Sequence, residues 1–316
     1  MTTKTRTPKY KKLIEIFITL AKRVLPKYSG KFSRRRYTQY QHAAAVLLMR
    51  YENKPYRDIV DLLPEFSDYF KFRKHVPHYT TLQKFFARTP SMTWDFMLSK
   101  TYRLFHQRVA DIAVDSTGFS ERHMSHYYRQ RMTEFGEKTY KIHRFLKHSI
   151  AVDSGIQAIV ASAGRQIIRN DNYDFKRLVK KSRRQVRINY VTADKGYDSE
   201  ANHVFVRERI GGISVIPIRK MGSGVQFSGF YRAEMRDHFP DYRYHQRSKV
   251  ETVNFVQKVK FGSELRNRST TMRKREMKAT DVVYNVYRYM KLKYNFYLEV
   301  FYRAMPLRNL CCSERQ

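Results

Sequence analysis

The sequence predicts an α/β fold in which a mixed five-stranded sheet is flanked by helices and preceded by an all-α N-terminal segment. Residues 1–110 carry apolar side chains at helical spacing. From Asp111 onward, short apolar runs of strand length alternate with helical patterns, which is typical of an α/β order. The chain has 316 residues, 42% of them hydrophobic, and is long enough to bury a core across two domains.

The N-terminal segment is predicted to hold five helices. Apolar side chains recur at helical spacing from Leu13 to Ala21, within the first of them. Pro55 suits the first turn of the third helix, and Thr80 or Thr81 can cap the fourth. The predicted ranges are 11–24, 37–51, 55–63, 80–88 and 94–109.

Five strands and four helices are predicted after residue 110. Two strands end directly before an aspartate, Asp115 in one case and Asp194 in the other. Residues 219–241 are rich in glycine and aromatic residues and are predicted to form a loop or small insertion, and residues 301–316 a tail. The predicted strands are 112–114, 145–152, 156–163, 190–193 and 213–218, and the predicted helices are 172–181, 199–210, 242–261 and 280–298.

The charge of the chain indicates a polyanionic partner. Lys and Arg number 63 against 28 Asp and Glu, a formal net charge of +35. This charge is spread over both predicted parts, which favours a broad surface that follows a phosphate backbone over a short membrane anchor. No apolar run approaches the roughly 20 residues that span a bilayer, and the N-terminus lacks the apolar stretch of a signal peptide. We therefore expect no membrane association and a cytoplasmic, nucleoid-associated protein.

The third and fourth N-terminal helices suggest where nucleic acid would bind. In this basic setting they could form a variant of the helix-turn-helix motif, with Lys84 and Arg88 contacting phosphates. Residues 64–79 make a long connection for that motif, so an ordinary helical bundle is an equal alternative.

Asp115 and Asp194 point to metal chemistry. At the carboxyl ends of neighbouring strands they would lie close together, and two carboxylates repel unless one is protonated or a cation lies between them. Carboxylate oxygens are the ligands that Mg²⁺ prefers. The alternative, in which each aspartate caps a turn or pairs with an arginine, would be preferred for either residue alone.

The helix predicted at residues 242–261 carries a third carboxylate. On a uniform α-helix, four of its polar side chains fall within an arc of roughly 60°: Tyr244, Arg247, Glu251 and Lys258. Glu251 could complete a metal site, with Arg247 and Lys258 binding phosphates beside it. The alternative is a solvated helix face with an Arg247–Glu251 pair at i, i+4.

These residues resemble a known signature. The spacing Tyr-x₂-Arg-x₃-Glu-x₆-Lys from Tyr244 to Lys258 is similar to that of DDE-class transposases of prokaryotic insertion sequences. The segments 193–198, Ala-Asp-Lys-Gly-Tyr-Asp, and 114–117, Val-Asp-Ser-Thr, look like the two aspartate motifs of that group. The order Asp, Asp, Glu and the surrounding elements resemble an RNase H-like catalytic core, over about residues 111–295.

The resemblance implies a domain division and an activity. Residues 1–110 would be a helical DNA-binding domain and residues 111–300 an RNase H-like catalytic domain. The enzyme would cleave DNA at insertion-sequence ends and join the freed 3′ ends to target DNA, as a homodimer on double-stranded DNA with terminal inverted repeats. The short 219–241 segment leaves open whether hairpin ends form, a step linked to a larger insertion in some relatives.

The resemblance also implies roles for the site residues. Asp115, Asp194 and Glu251 would hold two Mg²⁺ ions, for which Mn²⁺ can substitute, and Asp115 would bridge both. Tyr244, Arg247 and Lys258 would contact DNA near the scissile phosphate. Two alternatives stay open: an RNase H-like endonuclease that cuts without joining, and an inactive transposase-derived DNA-binding protein, against which the intact triad argues.

Overall fold

The computed structural model describes residues 6–73, 75–121, 145–166, 172–219 and 228–304. The chain begins with helices α1 to α6, and two short 3₁₀ turns, Leu63–Phe66 and Arg103–Phe105, follow α3 and α6. The helices are α1 Arg6–Lys22, α2 Gln39–Tyr51, α3 Tyr56–Leu62, α4 Ser67–Phe70, α5 Tyr79–Arg88 and α6 Ser91–Tyr102.

The helices of this segment differ from the predictions at several ends, and α4 was not predicted. His78, not Thr80 or Thr81, caps α5, and its imidazole accepts a hydrogen bond from the Thr80 amide at 3.4 Å. The last helix ends at Tyr102, whereas the prediction carried it to residue 109. The apolar run continued past that point because Val109 is already in a strand, where it pairs with Arg187.

One mixed sheet follows, with strand order β3-β2-β1-β4-β5 and a two-residue sixth strand beside β1. Its β1–β2 and β2–β3 pairs are antiparallel, and its β1–β4 and β4–β5 pairs are parallel. The predicted five-stranded mixed sheet is therefore confirmed. The strands are β1 Val109–Glu121, β2 Phe145–Asp153, β3 Ala158–Arg165, β4 Arg187–Ala193, β5 Ile213–Val215 and β6 Glu264–Leu265.

The prediction that the first strand ends at Asp115 was wrong. β1 has 13 residues, because the chain beyond Asp115 continues to pair with β2 as far as Ser120. On its other edge, β1 pairs with β4 only up to Val114, and with β6 only from Ser120. Asp115 therefore lies in the middle of its own strand but at the point where its parallel neighbour ends.

Six further helices complete the described chain: α7 Asn172–Arg183, α8 Glu200–Val204, α9 Phe230–Asp237, α10 Asp241–Tyr244, α11 Ser248–Phe261 and α12 Thr270–Ala304. A π-helical turn, Phe205–Ile210, extends α8 and ends at Gly211. The φ of Gly211 is +76°, a left-handed backbone conformation that glycine adopts without steric cost. α12 begins ten residues earlier than predicted and includes the first four residues of the predicted tail. The rest of that tail, residues 305–316, lies outside the described residues.

The sheet is covered on both faces. On one face, Ala113 and Ile150 pack into a core shared with α11, α12 and the N-terminal helices. On the other face, Ile112 and Val114 pack with α7. Because side chains alternate along a strand, Asp115 points to the face of Ala113, where α11 lies. Among the described residues no helix is long and apolar enough to cross a membrane.

A buried ion pair joins the N-terminal helices to the C-terminal ones. Arg50 on α2 is 1% exposed, and its Nη1 lies 2.7 Å from Glu276 Oε1 on α12. The same guanidinium donates to Thr280 Oγ1 and to the Phe261 carbonyl, both at 3.2 Å. Three partners on two C-terminal elements therefore fix the position of α2 against α11 and α12.

Candidate active site

Strand pairing places Asp115 and Asp194 side by side. Val114 on β1 is in register with Ala193 on β4, and each is followed by an aspartate. Asp194 lies just beyond the end of β4, where its Oδ1 accepts a hydrogen bond from the Lys195 amide at 2.8 Å and begins a 3₁₀ turn. Asp194 therefore does cap a turn, and this turn lies beside Asp115.

The segment that carries Glu251 is helical but not one uniform α-helix. A 3₁₀ turn, His245–Arg247, separates α10 from α11. The common arc expected for a uniform helix therefore does not extend through Tyr244. Contacts nevertheless connect the predicted row: the Arg247 guanidinium lies 5.6 Å from the Tyr244 ring, and its Nη2 lies 2.7 Å from Glu251 Oε1.

α11 lies along the second half of β1. Val250 and Val253 are fully buried and anchor the helix, which turns its polar residues towards the strand. Asn254 Nδ2 donates to Asp115 Oδ2 at 3.2 Å, and Lys258 Nζ donates to Thr117 Oγ1 at 2.5 Å. Successive turns of α11 thus contact successive residues of β1 on the same face.

The other two carboxylates act on Asp115 electrostatically. The pKa of Asp115 is raised, chiefly by burial, and the negative charges of Glu251 and Asp194 add to this effect. The Ser116 backbone amide and the Arg247 guanidinium oppose it. A buried carboxylate that is penalised in its charged form is the kind of group that a bound cation stabilises.

Glu251 differs from the two aspartates in its exposure and in its partner. Its side chain is 53% exposed and paired with Arg247, as in the alternative for this helix face. Within the described ranges, no three His, Cys, Asp or Glu side chains converge closely enough to hold a metal ion. The carboxylate oxygens are ligands of the type that hard divalent cations prefer. For Glu251 to bind the same cation, its side chain must leave Arg247.

A supporting layer around the second aspartate was not predicted. Ser116 Oγ and the Tyr197 hydroxyl share a hydrogen bond of 2.7 Å, which ties β1 to the turn after Asp194. Burial raises the pKa of Tyr197, so its hydroxyl stays neutral. The position of Tyr197, three residues after Asp194, was the only sequence signal for this contact.

The 219–241 segment contributes to this layer and is not only a loop. It contains α9, and the part from 220 to 227 lies outside the described residues. Arg232 on α9 holds Asp198 through two hydrogen bonds of 2.9 Å each. Glu200 also accepts from the Tyr231 and Arg232 amides at the start of α9. The segment from Arg232 to Arg236 consists of good helix formers, a signal that the loop prediction overlooked.

Lys84 and Arg88 lie elsewhere. Both are on α5 and line a groove of about 380 Å³ whose other wall is the chain from Leu25 to His42. None of the carboxylates lines this groove. The structure therefore separates the two predicted sets of DNA-contacting residues, one beside the carboxylates and one between the N-terminal helices.

Comparison with known proteins was consistent with this site. A search of curated protein sequences found no significant match. A solved structure described as a piggyBac transposase synaptic complex with hairpin DNA is similar over 94% of this chain and 80% of that chain, with 11% identity and a TM-score of 0.41. The family model described as "Transposase DDE domain" matches residues 108–280, more than half of the chain and all three carboxylates.

Members of this family are divalent-metal-dependent enzymes that cleave nucleic acid. The predicted α/β fold with a mixed sheet flanked by helices and the predicted DDE class are confirmed, while the RNase H-like identity of the core and the prokaryotic insertion-sequence subgroup stay predictions. On the strength of the family match, this chain belongs to the transposase DDE domain family.

Proposed function

We propose that this transposase cleaves double-stranded DNA at the inverted repeats of its insertion sequence and joins the freed 3′ ends to target DNA. Asp115, Asp194 and Glu251 are the proposed ligands of two Mg²⁺ ions, with Mn²⁺ as a substitute, and Asp115 is the proposed bridging ligand. The observation that carries the proposal is the Val114–Ala193 register, which sets two aspartates side by side beneath α11.

Bound ions would activate the attacking oxygen and would neutralise the charge that develops on the leaving one. The chain's own part is to position and charge the site. Asp115 is fixed within a strand and contacted by α11, so its carboxylate has little freedom. Glu251 reaches the site from a helix whose buried face is anchored on the sheet.

Arg247 links metal binding to DNA binding. Its guanidinium is held by Glu251 at 2.7 Å, and its Nε, which is buried, has no hydrogen-bond partner among the described residues. When Glu251 turns to a cation, the guanidinium is released for a phosphate, which it can bind through two parallel hydrogen bonds. Tyr244 and Lys258, on either side, are the other proposed DNA contacts.

A second DNA-contacting surface is proposed between the N-terminal helices. The groove that Lys84 and Arg88 line is built from two stretches without any acidic residue, 16–51 and 69–94. At its edge, Phe32 is 89% exposed beside Lys31, just before Arg34, Arg35 and Arg36. Exposed apolar residues among cations are found in proteins that press a side chain against bases while binding phosphates.

Substitutions at this surface separate the contribution of phosphate contacts to DNA affinity from that of the exposed phenylalanine. We expect Lys84→Ala with Arg88→Ala to reduce the slope of log affinity against log salt by about 2, since each lost phosphate contact removes about 0.9. We expect Phe32→Ala to lower affinity at every salt concentration and to leave the slope unchanged. Fluorescence anisotropy on a labelled duplex measures both, with the exposed Arg209→Ala as a control on the opposite face of the sheet. An unchanged slope in the double variant contradicts this surface.

The experiment that tests the proposed function uses a duplex carrying the repeats that flank the gene. With Mg²⁺ or Mn²⁺ we expect cleavage at the repeat end, followed by joining to a target duplex, and we expect Glu251→Gln to do neither. Glu65→Gln, at an exposed acid in the N-terminal segment, is the matched control. Cutting without joining favours the endonuclease, binding without cutting favours the inactive relic, and full cleavage by Glu251→Gln overturns the site.

Two further proposals follow from the joining reaction. Both ends of an element must be brought together, which a homodimer on DNA would do. The protein would act where its DNA is, in the cytoplasm at the nucleoid. The sedimentation of the protein with and without the repeat duplex tests the first proposal, and a DNA complex that holds one protein chain contradicts it.

A further inference from the structure

Asn254 is the side chain that α11 places directly on Asp115. It lies three residues after Glu251, so the two project from nearly the same face of the helix. Its Nδ2 donates a hydrogen bond to Asp115 Oδ2 at 3.2 Å. A neutral amide therefore contacts Asp115, one of the three carboxylates of the candidate site.

The oxygen of the same amide has no hydrogen-bond partner among the described residues. Asn254 as a whole is 7% exposed, so water does not reach this atom freely. Buried polar atoms in native proteins are nearly always satisfied, and an exception calls for an explanation, of which a partner from outside the chain is one. Because the amide is tied to Asp115 through its nitrogen, that partner belongs to the carboxylate site.

We propose that Asn254 is the neutral member of the divalent-cation site: its nitrogen holds the Asp115 carboxylate, and its oxygen binds the cation or a water on it. This inference rests on the proposed metal-binding function of the carboxylates. Amide oxygens bind hard cations alongside carboxylates. A neutral ligand also adds an oxygen without adding to the repulsion among Asp115, Asp194 and Glu251.

Gln257, three residues further along α11, provides a matched comparison. It too is a buried amide whose oxygen has no hydrogen-bond partner within the described chain. Its Nε2, however, donates to Asp281 at 2.8 Å, and Asp281 in turn contacts His148 at 3.1 Å. Gln257 is therefore tied to α12 and β2 and not to the carboxylates, so its loss is expected to affect packing alone.

The test is Mn²⁺ affinity of the full chain without DNA, measured from the electron paramagnetic resonance signal of the free ion. We expect Asn254→Ala to weaken binding 10- to 100-fold, as is usual when a residue that orients a ligand is removed. We expect Gln257→Ala to stay within about twofold of the unsubstituted protein. We expect Asn254→Asp, which keeps an oxygen and adds a charge, to bind Mn²⁺ at least as tightly.

Two results overturn the inference: Asn254→Ala that binds Mn²⁺ normally, or Asn254→Asp that binds as weakly as Asn254→Ala, since a purely structural role predicts equal losses. If circular dichroism shows that Asn254→Ala is unfolded, the nearly isosteric Asn254→Asp decides the question. Asp115→Asn separates this inference from the proposed function. If Asp115→Asn abolishes Mn²⁺ binding while Asn254→Ala does not, only the role of Asn254 fails; if Asp115→Asn binds normally, the carboxylate site itself fails.

Discussion

Asp115→Asn is expected to remove DNA cleavage and, at the same time, to stabilise the metal-free protein. The substitution removes the carboxylate that is proposed to bridge both ions, and with it several kcal/mol of charge stabilisation in the transition state. At 1.36 kcal/mol for each tenfold change, the rate falls by about 10³-fold or more. Single-turnover cleavage of the repeat duplex measures this loss.

The gain in stability follows from the raised pKa of Asp115. A carboxyl group whose pKa is higher in the folded than in the unfolded chain binds its proton more tightly when folded. Its contribution to stability is therefore present at low pH and is lost as the pH rises through the interval from the unfolded pKa to the raised folded pKa. Asparagine at this position has no charged form, so the loss does not occur.

Thermal unfolding in a chelator measures this second effect. We expect Asp115→Asn to melt above the unsubstituted protein at neutral pH and the difference to shrink as the pH falls towards 4, near the ordinary pKa of an aspartate. Asp111→Asn, four residues earlier on the same strand, is the control for both assays and should keep its activity. A melting temperature of Asp115→Asn below that of the unsubstituted protein would show that the carboxylate is not penalised by burial.

Glu276→Leu is expected to have the largest effect on stability. Glu276 is 2% exposed and accepts hydrogen bonds from Arg50 Nη1 and from the backbone amides of Arg266 and Asn267. Its loss leaves the Arg50 charge buried without its anion, which costs about 3–5 kcal/mol. Arg50→Met should cost less, because Glu276 keeps its donors from the chain before α12. Urea unfolding measures both.

A double variant distinguishes the ion pair from general packing. We expect Arg50→Met with Glu276→Leu to be more stable than Glu276→Leu alone, since the unpaired cation is gone. Arg236→Ala, which removes the exposed pair with Asp237, should leave the urea concentration at the unfolding midpoint nearly unchanged. If Glu276→Leu unfolds at the urea concentration of the unsubstituted protein, the N-terminal helices are not held by this pair.

The sequence predicted the sheet well because its strands are apolar and bounded by turn residues. It predicted the proximity of Asp115 and Asp194 from the idea that each follows the end of its strand, which is correct for only one of them. Only Asp194 follows the end of its strand; Asp115 continues in a strand that its antiparallel neighbour extends. Such pairing joins residues far apart in the chain, and no local pattern around Asp115 encodes it.

The polar side chains around Glu251 likewise show how far helical spacing can predict contacts. Helical spacing predicted that Glu251 and Lys258 share one side of the helix, and Lys258 contacts Thr117 of β1. It did not show that Arg247 and Glu251 pair with each other, or that Asn254 contacts Asp115. Whether a helix face meets solvent or a strand depends on the tertiary packing of Val250 and Val253, which spacing alone does not reveal.

The central claim, that Asp115, Asp194 and Glu251 form one divalent-cation site, is tested most directly by anomalous scattering from a crystal of the DNA complex soaked with Mn²⁺. We predict anomalous peaks bound by oxygens of all three carboxylates, with Glu251 turned away from Arg247 and the guanidinium on a phosphate. Manganese bound elsewhere, or Glu251 still paired with Arg247 beside a filled metal site, would contradict the account.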